Sequence, residues 1–167
     1  MTGHTGFKGS WLAIWLRAMG AEIVGVSLPA TSSPNLFDVA MVSEGLDNRY
    51  CDIRNREQLY TIIANFKPEI VFHLAAQSLV RQSYSDPLET YDVNVMGTAI
   101  VLEAVRVSAN PCSLVVITSD KCYENLESGI PFEEGDPMGG FDPYSSSKGC
   151  AELVVNSYRN SFFHPDS

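Results

Sequence analysis

No stretch of the 167 residues approaches the run of ~20 apolar residues that a membrane-spanning helix needs. The N-terminus also lacks the charged, apolar and small-residue succession of a secretory signal. Basic residues are scarce, with eleven Lys and Arg against twenty Asp and Glu and a formal charge of −9. Nucleic acid and anionic membrane surfaces both need clustered positive charge, so neither is expected as a partner. Cys51, Cys112, Cys122 and Cys150 form no CxxC pair. They read as reduced thiols of a cytoplasmic protein, a disulfide framework being the weaker option. His4, His73 and His164 share no ligand spacing and no HxxxH or HExxH pattern, so no metal site is expected.

What remains is a chain of 45% hydrophobic composition, long enough for one domain with a core. Its pattern alternates. Glu22–Leu28 is a short β-rich run and Arg49–Ile53 a weaker one, while Ile70–Ala76 and Leu114–Ser119 are continuous apolar runs of the kind found in parallel strands covered on both faces. Helical stretches lie between them. Phe7–Met19 carries Trp11, Leu12, Trp15, Leu16 and Met19 on one broad stripe. Arg56–Phe66 stops before Pro68. Asp86-Pro87 reads as a cap and first-turn proline opening a long helix to about Val107. Tyr144–Phe163 makes the last helix, and Pro29–Asn35 and Asn125–Pro143 read as loops. Such alternation predicts an α/β fold with a doubly wound parallel sheet.

Three short stretches are candidates for chemistry. In Thr2-Gly3-His4-Thr5-Gly6-Phe7-Lys8-Gly9 the glycines allow a tight turn and close approach of a pyrophosphate to the helix N-terminus; a helix-capping turn is the alternative. Of the seven tyrosines only Tyr144 has a lysine four residues on, Lys148, which would share its helix face. A phenol of ordinary pKa ~10 is a poor base, and an adjacent ammonium favours the phenolate. Lowering that pKa by about three units needs roughly 4 kcal/mol, within reach of two positive charges in a dry cleft. An exposed Tyr and Lys with no common task is the other reading. Thr118-Ser119-Asp120-Lys121 ends the last apolar run, where doubly wound sheets bind ligands. A hydroxyl, a carboxylate and an ammonium there can orient a sugar hydroxyl and move protons, or can simply cap a turn.

Together these stretches resemble the extended short-chain dehydrogenase/reductase family, which pairs a TGxxGxxG loop with a Ser/Thr–Tyr–Lys triad on a YxxxK helix. The resemblance runs over nearly the whole chain and implies a Rossmann-like sheet and NAD as cofactor. It assigns cofactor contacts to Gly3, Thr5, Gly6, Phe7 and Gly9 of the loop. Asp52 and Ile53 would pack the adenine, and Leu74, Ala75, Ala76 and Gln77 would lie beside the ribose. Asn94 matches the family's buried helix asparagine, and Thr118, Tyr144 and Lys148 complete the set. No carboxylate closes the run Val26-Ser27-Leu28-Pro29 to hold the NAD ribose, yet no Arg stands nearby for a 2′-phosphate, so NAD over NADP rests on the resemblance. Within the family, "TGHTGFKGSWL", "ITSDKCYEN" and "PMGGFDPYSSSKGCAELV" are similar to the nucleotide-sugar 4,6-dehydratases that act on CDP-glucose, where lysine follows the aspartate of the strand-ending turn.

That resemblance implies Ser119, Asp120, Lys121, Tyr144 and Lys148 as the catalytic group. Tyr144, sharing a hydrogen bond with Ser119, would deprotonate the sugar 4-hydroxyl. Lys121 would take the proton from carbon 5 and Asp120 would protonate the departing 6-hydroxyl, leaving a 4-keto-6-deoxy sugar. A nucleotide-sugar epimerase or reductase, and a non-catalytic nucleotide-binding fragment, are the alternatives. The glycine loop has no strand ahead of it apart from Met1-Thr2, and the family continues well past the YxxxK helix. Residues 1–167 are accordingly expected to be a partial Rossmann-like domain without its first strand or its sugar-binding region, inactive alone, the full-length protein being a homo-oligomer.

Overall fold

In the computed structural model, which describes residues 1–163, four short parallel strands lie between helices. The strands are β1 (Val24–Ser27), β2 (Asp47–Tyr50), β3 (Ile70–His73) and β4 (Ser113–Val116). β1 pairs with β2 and β3 with β4, both in parallel. Thr2 joins the two pairs, bridging Val26 on one side and His73 on the other. The bonds alternate as a parallel ladder requires: Gly3 N–H donates to Val26 O (2.8 Å) and Thr2 N–H to Phe72 O (2.8 Å). The order across the molecule is therefore β2, β1, Met1–Thr2, β3, β4, an arrangement that matches the expected doubly wound parallel sheet. Below Met1, between β1 and β3, lies a cavity of about 430 Å³ walled by Leu16, Ile23, Ile62, Phe66 and Phe72 among others.

The helices are α1 (Phe7–Ala18), α2 (Leu36–Val39), α3 (Arg56–Phe66), α4 (Val80–Ser85), α5 (Pro87–Tyr91), α6 (Gly97–Ser108) and α7 (Pro143–Phe162). Local chemistry sets their ends. Asn55 caps α3 by accepting from Gln58 N–H (3.1 Å), and Lys67 closes it in the left-handed conformation ahead of Pro68. Asp142 caps α7, accepting from the Ser145 N–H at 2.9 Å and its hydroxyl at 2.6 Å, with Pro143 in the first turn. The main core gathers Val24, Val26, Ile53, Leu59, Ile63, Val71, Val101 and Val105 between β1, β3, α3 and α6. Each such side chain contributes roughly 1.5–3 kcal/mol when fully buried.

Several expectations are corrected. The helix at Phe7 forms as expected, but Phe7, Trp11, Trp15 and Met19 are exposed, while Gly9, Ser10 and Ala13 face inward. Small residues are needed there because the helix crowds the glycine loop: a Cβ on Gly9 would lie 2.0 Å from Gly3 O. The long helix from Asp86 is one continuous rod, α5 to α6, interrupted by a π turn at Asp92–Met96. The second strand sits at Asp47–Tyr50, upstream of the expected Arg49–Ile53. α2 and α4 are short helices that no strong periodicity announced. His164 lies outside the described residues. No helix among the described residues is long and apolar enough to cross a membrane.

Candidate active site

The loop before α1 has the shape an anion needs. Gly3 sits at φ +75°, and a Cβ there would lie 2.6 Å from Ala75 N, so only glycine permits the loop to touch the end of β3. Gly6 is the N-cap of α1, no side chain caps the helix, and no acidic residue stands in its first turn. The N–H groups of that turn are thus left for an external acceptor, aided by the helix dipole. Phe7 is exposed at the lip. Thr5 turns inward instead, its hydroxyl bonded to Ser27 Oγ and Leu28 O, both at 2.8 Å, so it pins the loop to the end of β1.

Beside the loop is a cavity of about 160 Å³ lined by Gly3, Leu28, Asp52, Ile53, Ala75 and Ala76 among others. Six expected cofactor residues therefore meet in one place: Gly3, Asp52, Ile53, Leu74, Ala75 and Ala76. Its floor is Asp52, whose carboxylate is gripped by Arg54 at 2.7 Å; the guanidinium also reaches Glu89 (2.7 Å) and Asp92 (2.8 Å). The Arg54 hydrogen bonds hold the Asp52 carboxyl below the usual range despite its partial burial. Arg54 was not singled out in the sequence, where its i+2 relation to Asp52 carries no periodic signal.

Behind the cavity runs a buried polar network. His73 is fully enclosed and hydrogen-bonds Thr2 Oγ1 (2.8 Å) and Thr98 Oγ1 (3.1 Å). Thr98 donates to Asn94 O (2.6 Å), so its oxygen accepts from His73 Nε2–H and the Nδ1 of His73 accepts from Thr2. Burial, seconded by the nearby Lys148 charge, pushes the His73 pKa down to about 3, keeping the ring neutral. Asn94 accepts from Gln77 N–H (2.8 Å) and donates to Gln77 O (3.0 Å) and Ser147 Oγ (2.8 Å). With its amide fully engaged, Asn94 braces the β3 end against α7 and is not among the residues lining that cavity. Gln77 is likewise held, its amide group bonded to Thr90 Oγ1 and to Leu79.

The residues expected to handle protons lie in the turn after β4 and on the first turns of α7. Ser119 caps the short turn Asp120–Cys122, its hydroxyl accepting from Lys121 N–H (3.1 Å). Among the described residues no hydrogen bond joins Ser119 to Tyr144, so the expected sharing is not made in this state. Thr118 donates its hydroxyl to Glu152 on α7. Asp120 and Lys121 are exposed and line, with Tyr123, Phe132 and Phe141, a cavity of about 560 Å³. α7 packs against this turn and presents Tyr144 and Lys148, both buried, with the Lys148 Nζ 5.9 Å from the Tyr144 ring centroid. Burial pushes the Lys148 pKa down, while Glu152 opposes the shift. The Tyr144–Lys148 pairing on one helix face is as the spacing predicts. Glu152 was missed, although its own i+4 spacing from Lys148 was there to be read.

The comparisons agree with this geometry. A family model described as GDP-mannose 4,6 dehydratase matches residues 1–165. The CDP-glucose 4,6-dehydratase of Salmonella typhimurium is 55% identical over 99% of this chain and 46% of its own length. The UDP-glucose 4-epimerase of Mycolicibacterium smegmatis is 34% identical over 96% of this chain and 50% of its own. Among solved structures, the Thermus thermophilus UDP-glucose 4-epimerase complex with NAD superposes with a TM-score of 0.84 at 30% identity, over 97% of this chain and 50% of that one. The chain spans about half the length of the curated relatives it matches. From its glycine loop to its YxxxK helix, it belongs to the GDP-mannose 4,6-dehydratase family.

Proposed function

We propose that these residues form the cofactor-binding and catalytic part of a nucleotide-sugar 4,6-dehydratase that acts on CDP-glucose with NAD. The observation that carries the reading is the pairing of two proton-handling stations at one strand end. Exposed Asp120 and Lys121 face an open cavity, and buried Tyr144 and Lys148 pack behind them. An oxidation alone needs only the second station. The high identity to the Salmonella CDP-glucose enzyme supports the choice of substrate.

The dinucleotide fits the site. A pyrophosphate has the uncapped turn of α1, and the cleft at Gly3, which any Cβ would obstruct, admits close approach. Adenine and its ribose have the cavity over Asp52 and Ile53. NAD when bound supplies reversible hydride uptake, from sugar carbon 4 and back to carbon 6. Tyr144 takes the proton of the 4-hydroxyl, with the Lys148 ammonium favouring the phenolate. Once carbon 4 is a ketone, the carbon 5 proton is acidic, and Lys121 removes it. Asp120 gives its proton to the 6-hydroxyl, which leaves as water. Lys121 gives its proton back to carbon 5 as carbon 6 is reduced, and the proton Tyr144 took from the 4-hydroxyl balances the one Asp120 lost. Mass analysis of the product tests the reading, in a chimera in which residues 1–165 replace the matching segment of the full-length Salmonella relative. Loss of one water from CDP-glucose is expected; an unchanged mass with inverted carbon 4 would instead make the site an epimerase.

A further inference from the structure

Glu152 has no part in the chemistry above, yet it touches both elements that deliver it. It stands four residues after Lys148 on α7, and so on the same helix face. Its carboxylate accepts the hydroxyl of Thr118 at the end of β4, directly before Ser119, Asp120 and Lys121. The same joint is tight at Gly149, where a Cβ would lie 3.3 Å from the Cys122 carbonyl oxygen. A helix carrying Tyr144 and Lys148 is thereby clamped to the segment that leads from β4 into the turn carrying Asp120 and Lys121.

We infer that Glu152 is a positioning residue: anchored by Thr118 one helical turn from Lys148, its carboxylate holds a negative charge on the helix face that carries this buried ammonium beside Tyr144. The inference deepens the reading of Lys148 as the cationic partner of the phenol, and its importance to catalysis rests on that reading. Lys148 is only 6% exposed, and an ammonium taken out of water drifts toward the neutral amine unless a negative charge stays close. The titratable groups that face it are Tyr144 and Glu152 from α7 and the neutral His73 from β3. Glu152 is the one carboxylate in that set. A free glutamate on a half-exposed helix face would turn to water; the Thr118 hydroxyl keeps it turned toward the strand.

Lysine titration by NMR tests this without substrate or turnover, so its outcome is independent of whether the dehydratase reading holds. The chain has four lysines, Lys8, Lys67, Lys121 and Lys148, and 13C-ε labelling with Lys148→Arg assigns the signal. Glu152→Gln keeps the shape and an acceptor for Thr118 but removes the charge. It should lower the Lys148 midpoint by about one pH unit, as expected for charges a helical turn apart in a partly dry site. Thr118→Val keeps the charge but frees it, and should lower the midpoint by about half as much. Glu152→Asp should restore part of the loss. An unchanged midpoint in Glu152→Gln would overturn the inference; if that variant does not fold, an unchanged midpoint in Thr118→Val does so.

Discussion

Replacing Asn94 with alanine tests how firmly the two halves of the site are held together. The side chain is 2% exposed and makes three hydrogen bonds, two to the backbone of Gln77 and one to Ser147 Oγ. Alanine leaves the Gln77 N–H and C=O buried without these partners, at about 1–3 kcal/mol for each group. The Ser147 hydroxyl keeps its bond to Tyr144 O, so that end of the network loses little. With the small void left by the amide, the cost should total roughly 3–5 kcal/mol. Native-state hydrogen exchange reads it residue by residue. Protection at the Gln77 amide should fall at least a hundredfold, since about 1.4 kcal/mol is a factor of ten. Asn94→Asp keeps an acceptor for Gln77 N–H but sets a carboxylate against Gln77 O, and should be no better. A Gln77 amide that stays protected within threefold in the alanine variant would show that the brace is not structural and would refute the reasoning.

In the same chimera used to test activity, Tyr144→Phe should abolish the first hydride transfer while NAD binding stays within a few-fold, because the proposed reading gives the dinucleotide to the loop and the Asp52 cavity rather than to the phenol; near-normal reduction of bound NAD would remove Tyr144 from its role. Lys121→Met should keep the first oxidation and lose solvent deuterium incorporation at carbon 5, measured by mass spectrometry; normal incorporation would transfer the base role to another group. Acid should loosen the fold through His73. Its folded pKa of about 3 lies below the unfolded ~6.5, so the unfolded chain binds the extra proton between those values. Stability is then intact above about pH 6.5 and falls by roughly 1.4 kcal/mol per pH unit below it. Urea midpoints at pH 7 and pH 5 should show a drop that His73→Gln flattens, and an equal slope in both proteins would count against it.

Much of the site could be read from spacing alone because its parts are local. The Tyr144–Lys148 pair needs only an α-helix, the glycine loop only a turn and a helix start, and the turn after β4 only a strand end. What escaped has non-local causes. Hydrophobicity assigns the broad face of α1 to the core, yet Trp11 and Trp15 are exposed, because packing against the loop admits only Gly9, Ser10 and Ala13. A 3.6-residue period cannot reveal the π turn at Asp92–Met96, within which Asn94 is buried. Asn94, Thr5 and Thr118, polar residues expected at the cofactor, bond with Gln77, Ser27 and Glu152. Only tertiary contacts distinguish such braces from groups that meet a ligand. Arg54 illustrates the converse, since three carboxylates from two separate segments converge on it.

The most direct measurement follows a single hydrogen. CDP-glucose deuterated at carbon 4 is turned over by the chimera, and the label is located in the product by NMR. If Tyr144 and Lys148 serve oxidation at carbon 4, and Asp120 and Lys121 the loss of water from carbons 5 and 6, the deuterium leaves carbon 4 and reappears at carbon 6 of a product lighter by one water. Deuterium that remains at carbon 4 of an intact sugar, with or without inversion, would contradict the assignment of this site to 4,6-dehydration.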